Sequence, residues 1–239
     1  MPPRARLDAL NGWARDARVA SGSGRPLRFV ADASGAGAAR GPDARRVAYE
    51  ARVFDEGEVA TRVDGPGARH DLYNALAWLA WPRTKARLNA LHAGALAGAD
   101  PAGPRGPLRD AATLFDENGA LWVGADASLE AALRSFDWRT LFVGRRAALV
   151  DAVRVHPVGH ALLEKLDAPF KGIPAHAWPL RLPADTPPDA LDAALAASLE
   201  SGLAASIDAA ARASRALCPP PGVGAPGRGG GDPGPAVFN

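Results

Sequence analysis

The chain concentrates chemically capable side chains in three short blocks. In the first, HDLYNALAWLAWPRTKARLNALH over residues 70–92, His70, Asn74, Lys85, Asn89 and His92 recur at spacings of three, four or eleven. Imidazole and ammonium groups move protons or balance charge, and carboxamides orient a substrate. The second block, RDAATLFDENGALWV from Arg109, carries the carboxylates Asp110, Asp116 and Glu117. In the third, GHALLEKLDAPFKGIPAHA from Gly159, His160 and Glu164 lie four apart. Histidine with carboxylate is a workable ligand set for a divalent cation and serves acid–base chemistry equally well. The candidate catalytic or substrate-orienting residues are therefore His70, Asp71, Asn74, Lys85, Asn89, His92, Asp110 and Glu117. Asp116, His160 and Glu164 are the candidate ligands of a divalent metal, and the expected ligand of the site is a small molecule.

The elements that must position these groups follow from periodicity. A helix from Asp71 places Leu72, Ala75, Leu76 and Leu79 on one face and His70, Asn74, Trp78 and Trp81 on the other, so both sides are expected to be buried. Asp71 also suits the cap of that helix, which competes with a catalytic role. Pro82 ends it at Trp81 and opens a second helix, on which Lys85, Asn89 and His92 share a face beside Leu88, Leu91 and Ala95. Two consecutive helices with polar rows rimmed by apolar residues are expected to line one pocket.

Asn118-Gly119 is a strong signal for a type I′ hairpin, which pairs Phe115 with Trp122 and Asp116 with Leu121. By strand alternation Asp116 and Asp110 then share an apolar face, either at a wet rim or buried as paired carboxylates. A second hairpin is predicted over Val47–Arg62, around Asp55-Glu56-Gly57. Pro157-Val158-Gly159 opens a helix that sets His160 and Glu164 on one side, as two ligands or as an imidazole oriented by a carboxylate. His156 and His176 fall in loops.

Elsewhere the pattern predicts a helix over Leu7–Ala17, a strand over Arg25–Val30, Gly-rich loops over 33–42 and 98–107, and a capped helical pattern over Ser128–Phe142. An extended, proline-rich run over Pro169–Pro188 is anchored by Trp178. A last helix starts at Thr186-Pro187-Pro188-Asp189 and repeats Leu191, Leu195, Leu199, Leu203 and Ile207. Residues 218–239 are Pro/Gly-rich and read as a disordered tail after a single domain over 1–217. The fold class is α+β, with short antiparallel hairpins packed among several helices.

Bulk properties set limits. With 239 residues, 47% hydrophobic and 23% charged, the chain can bury a sizeable core. A formal charge of +2 gives no basic stripe for nucleic acid, the pI near 9.0 notwithstanding. Cys218 is the only cysteine, which excludes an intramolecular disulfide framework and a cysteine-built zinc site. No run approaches the ~20 apolar residues of a membrane span, and the N-terminus has no signal-peptide core, so a cytoplasmic setting is expected. No HExxH, P-loop, dinucleotide or nucleophile-elbow motif occurs.

The three blocks, together with FDWRTLFVGRR from Phe136, resemble in order a bacterial family of proteins known as domain of unknown function 3025, over about Leu7–Leu180. The resemblance implies a bacterial, cytoplasmic protein and supplies no reaction, substrate or cofactor. It carries over His70, Asp71, Asn74, Trp78, Pro82, Lys85, Asn89 and His92, then Asp110, Thr113, Asp116, Glu117 and Gly119, then His160 and Glu164. Phenylalanine is common in that family where this chain has Trp81. Two functional readings stand: a metal-assisted or acid–base hydrolase, and a non-enzymatic binding module whose polar residues form a structural hydrogen-bond network.

Overall fold

The computed structural model of the chain describes residues 3–32, 41–97, 106–170 and 172–210. Cys218 and the tail over 218–239, most of the loops over 33–42 and 98–107, and the side chains of Leu203 and Ile207 lie outside the described residues. Helices dominate, with two small sheets set among them. In chain order the elements are α1 (Pro3–Asp16), β1 (Arg28–Ala31), α2 (Gly41–Glu56), β2 (Glu58–Thr61), α3 (Ala68–Ala80), α4 (Pro82–Ala97) and α5 (Pro107–Asn118). There follow β3 (Gly119–Val123), α6 (Ala127–Arg134), a π-helical turn (Thr140–Gly144), α7 (Arg146–Ala152), β4 (Arg154–Pro157), α8 (His160–Leu166), β5 (His176–Leu180) and α9 (Pro188–Ala210). The helix-rich α+β class is as expected; the antiparallel pairing is found in part, between β3 and β4, and neither of the two predicted hairpin turns forms.

β1 and β2 pair in parallel, and the second sheet has the order β4-β3-β5, antiparallel on one side of β3 and parallel on the other. Both predicted hairpin turns are helix-to-strand junctions. Gly57, at φ 72°, ends α2 with its N–H on Val53 O, so the residues before it are helix and only Glu58–Thr61 is strand. Gly119 keeps φ −69° and continues directly from α5 into β3, so no type I′ turn forms. Phe115 therefore meets Trp178, with ring centroids 5.9 Å apart, and not Trp122. His156 and His176, expected in loops, lie on β4 and β5. The helical pattern over Ser128–Phe142 splits into α6 and the π-helical turn, with Phe136 at φ 57° between them.

The two largest apolar clusters lie to either side of the α3–α4 pair. One joins Leu10, Phe29, Val53, Val59, Ala75 and Trp78 from the N-terminal elements, and the other joins Trp81, Leu88, Phe115, Leu121, Trp178 and Leu195. Trp78 and Trp81 thus enter different cores from the end of one helix. α4 follows α3 at once because Pro82 occupies its first position, and the buried Asp192 of α9 accepts the N–H groups of Arg83 and Thr84 at 2.9 Å each. Among the described residues, no helix is long and apolar enough to cross a membrane.

Candidate functional site

The site lies where α2, α3, α4, α5 and α8 meet. Lys85, on the buried face of α4, reaches Asp116 Oδ1 at 2.5 Å and donates to Asn74 Oδ1 at 3.0 Å. Its ammonium also sits 5.3 Å from the Trp78 ring centroid. Asn74 passes the connection on, donating from Nδ2 to the Tyr49 hydroxyl at 2.8 Å. Burial alone would push the Asp116 carboxyl up. The Lys85 ammonium, the neighbouring imidazole of His160 and the Lys85 hydrogen bond outweigh it and hold Asp116 well below the usual carboxylate range. Burial, with the Glu50 carboxylate beside it, pushes the Tyr49 phenol far above its usual range.

His160 opens α8 directly against this pair. Its Nδ1 lies 3.5 Å from Asp116 Oδ2, too long for an aligned hydrogen bond, and its Nε2 lies 3.1 Å from Nε2 of His70. His70 in turn places Nδ1 3.2 Å from Glu164 Oε2. Burial lowers the His160 imidazole from 6.5 to about 4; Asp116 pulls the other way, while Lys85 and His70 add to the lowering. At neutral pH His160 is therefore uncharged. Burial changes along the chain of contacts: the Asp116 and His160 side chains are 10% and 7% exposed, those of His70 and Glu164 41% and 34%.

Local sequence explains the approach of α8 to α5. The N–H groups of Val158 and Gly159 both donate to Gly119 O at 2.9 Å. A Cβ at Gly159 would stand 2.4 Å from Glu117 O, so only glycine lets His160 start its helix this close to Asp116. On the other side, Asn89 donates to the backbone O and the Oε2 of Glu50, at 3.0 Å each, and accepts from Gly22 N at 3.1 Å. Its carboxamide is taken up in tying α2 and the turn before β1 to α4. His92 is buried and, with Tyr49, Glu50, Trp78, Lys85, Leu88, Asn89 and Asp116, lines a cavity of about 10 Å³, room for about one water.

His70, Asn74, Lys85, Asn89, His92, Asp116, His160 and Glu164 are thus brought together from all three blocks. Three other candidates fall elsewhere or at the margin. Asp71 neither caps α3, whose N-cap is Gly67, nor enters the site; its carboxylate binds the backbone N–H and guanidinium of Arg62 at 2.7–2.8 Å. Asp110 lies in the first turn of α5, exposed and six residues from Asp116, so the two are not paired carboxylates. Asp116 is buried with a partner, but on a helix face and not a strand face. Glu117 is half-buried near His160, whose imidazole its charge raises slightly against burial.

The expected metal set also changes. Asp116 and Glu164 stand at opposite ends of the His160–His70 pair and share no centre with His160. Among the described residues, no three His, Cys, Asp or Glu side chains form a group that could hold a metal ion. Two members escape the sequence-based expectation: Tyr49 and Glu50, in the segment predicted as a hairpin, which is helix α2. The signal was present, since Tyr49, Val53 and Gly57 recur every four residues, as on a helix face ending at its glycine.

No curated protein and no solved structure matches the chain. One family model does, over residues 27–236, nearly the whole sequence and every block of the site. The chain belongs to that family, Protein of unknown function (DUF3025).

Proposed function

We propose that this protein is an acid–base enzyme, of the hydrolase type, in which His160 is the proton-transferring group. Asp116 and Lys85 lie behind its ring, and His70 and Glu164 open it to solvent. The observation that carries the reading is the line of neighbouring polar groups, no step longer than 3.5 Å, from half-exposed Glu164 through two imidazoles to a buried carboxylate–ammonium pair. A buried ion pair is an expensive way to hold helices together, and replacing one by apolar residues often stabilises a protein. A neutral imidazole beside a carboxylate is the usual equipment of general acid–base catalysis. The acid–base form is favoured over the metal-assisted one because the carboxylates of Asp116 and Glu164 face different nitrogens of different histidines.

The test is turnover of chromogenic carboxylic, phosphoric and amide esters by the purified full chain, with His160→Gln alongside. The expected loss in the variant is about 10²-fold or more, the usual contribution of a positioned proton-transfer group. Equal turnover in both proteins would refute the assignment.

The second reading, a binding module with a structural network, draws support from the small cavity and from Asn74, Lys85 and Asn89 all having their polar groups engaged. The Lys85→Met, Asp116→Leu double variant separates the two. As a functional site the pair is replaceable with little change or a gain in stability; as a structural network it is not, and the loss is about 3 kcal/mol or more. Urea denaturation measures the difference.

A further inference from the structure

Between Glu164 and Asp116 run three contacts in series: Glu164 Oε2 to His70 Nδ1 at 3.2 Å, His70 Nε2 to His160 Nε2 at 3.1 Å, and His160 Nδ1 to Asp116 Oδ2 at 3.5 Å. An ionised carboxylate only accepts, and each imidazole nitrogen either carries a proton or accepts one. Filling three contacts takes three protons, whereas two neutral imidazoles carry two. With both rings neutral, one contact must be left unfilled; leaving the middle one unfilled would set two Nε2 lone pairs face to face at 3.1 Å, which is repulsive, so the gap falls at one end of the series or the other. If His160 carries its proton on Nε2, it donates to His70 and turns a lone pair toward Asp116. If it carries the proton on Nδ1, it donates to Asp116, and a neutral His70 then turns a lone pair toward Glu164. The geometry matches the first arrangement, because the Asp116 contact is the longest and the buried His160 Nδ1 has no hydrogen-bond partner.

We propose that His70 and His160 form a one-proton relay between solvent and Asp116, in which the charge state of His70 sets the tautomer of His160. A proton arriving on Asp116 passes to His160 Nδ1, breaking the O–H bond and making an N–H bond. The proton on His160 Nε2 moves to His70 Nε2, so His160 stays neutral and the positive charge appears on His70. His70, donating from both nitrogens, then releases one proton to solvent, and reversal carries a proton inward. All three contacts are filled only in the charged intermediate.

The surrounding charges favour this placement. Lys85 of α4 opposes a charge on His160, Asp116 and Glu117 of α5 favour one, and burial tips the balance to the neutral ring. His70 of α3 is half-exposed and faces the Glu164 carboxylate of α8, where a positive charge is solvated and paired. Arg69 of α3 is engaged with Asp167, just beyond α8. Glu164 acts here as a positioning residue that fixes which nitrogen of His70 faces His160.

The relay deepens the acid–base reading and rests on it for its purpose, but its existence is tested without substrate. Long-range ¹H–¹⁵N spectra of the full chain with labelled histidine report the protonation of each ring nitrogen. Across about pH 5 to 8, the range over which imidazoles change charge, His160 is expected to stay neutral and to move from Nδ1–H to Nε2–H. Its midpoint should coincide with the loss of a proton from His70. In His70→Gln, His160 keeps one tautomer throughout, and in Glu164→Gln both midpoints move together to lower pH. Should His70→Gln fail to fold, the joint movement in Glu164→Gln carries the test. One fixed His160 tautomer in the unaltered chain, separate midpoints, a doubly protonated His160, or a stoichiometric divalent ion held by both Nε2 atoms would each overturn the relay. A chain that switches tautomer yet turns over no substrate keeps the relay and loses the enzyme reading; an active chain with a fixed tautomer does the reverse.

Discussion

His160 ties the site to the stability of the whole protein. Its imidazole is buried and lowered from 6.5 to about 4, so below about 6.5 the unfolded chain takes up a proton that the folded chain resists. Its contribution is therefore fully present above pH 6.5 and is lost as the pH falls toward 4. The whole loss is about 3 kcal/mol, since each tenfold weakening of proton binding is worth about 1.4 kcal/mol. Asp116, held below its ordinary range, adds a loss of the same sign at still lower pH, as the carboxylate is forced to protonate. Urea midpoints taken at steps from pH 7.5 to about 4 should show the His160 component in the unaltered chain and a flatter profile in His160→Gln. An unaltered slope in the variant would mean that the half-buried His156 and His176, which burial also lowers, carry the dependence instead.

At the scale of elements, the site depends on a close approach that no side chain of the site itself makes. With a Cβ at Gly159 meeting Glu117 O at 2.4 Å, Gly159→Ala must push the start of α8 away from the end of α5. Overpacking of this kind usually costs about 1–3 kcal/mol, and the displacement should also separate His160 from Asp116. We expect Gly159→Ala to fold with a lower urea midpoint and with His160 titrating closer to 6.5, read by histidine NMR; an unchanged His160 would show that α8 is not set by this contact. What is legible in the sequence follows the same division. α3, α4 and α8 are legible because their signals are local: leucines three and four apart, Pro82 at a first position, a glycine before His160. α2 and α5 are not, because each ends at a glycine whose role is tertiary. Gly57 supplies the positive φ of a helix end as readily as that of a hairpin, and Gly119 serves at φ −69° because a Cβ there would stand 2.8 Å from the Phe115 ring. Taking α5 for a strand puts Asp116 on a strand face beside Asp110, and taking α2 for a hairpin hides Tyr49 and Glu50. Most of the polar cluster is nonetheless foreseeable, since it sits on the three helices whose faces the local pattern defines.

At the scale of the molecule, the polar cluster lies between two apolar cores that the α3–α4 pair separates, with Trp78 in one and Trp81 in the other. Each core leaves part of the site incomplete: Tyr49, Glu50 and Asn74 come from elements packed on the N-terminal core, Lys85 and Asp116 from those of the other. Such an arrangement couples the two cores, because hydrogen bonds cross the boundary between them, from Lys85 to Asn74, which passes the connection on to Tyr49, and from Asn89 to Glu50, and each core packs against elements that the other also holds. The expected consequence is a single cooperative transition, in which far-UV circular dichroism and tryptophan fluorescence follow the same urea curve. Removing only one partner, as in Lys85→Met, leaves a buried carboxylate uncompensated at the boundary and should lower the stability reported by both signals together, by about 3–5 kcal/mol. If fluorescence in that variant falls at lower urea than circular dichroism, the cores unfold separately, and the polar cluster holds together a boundary between two units and not the interior of one.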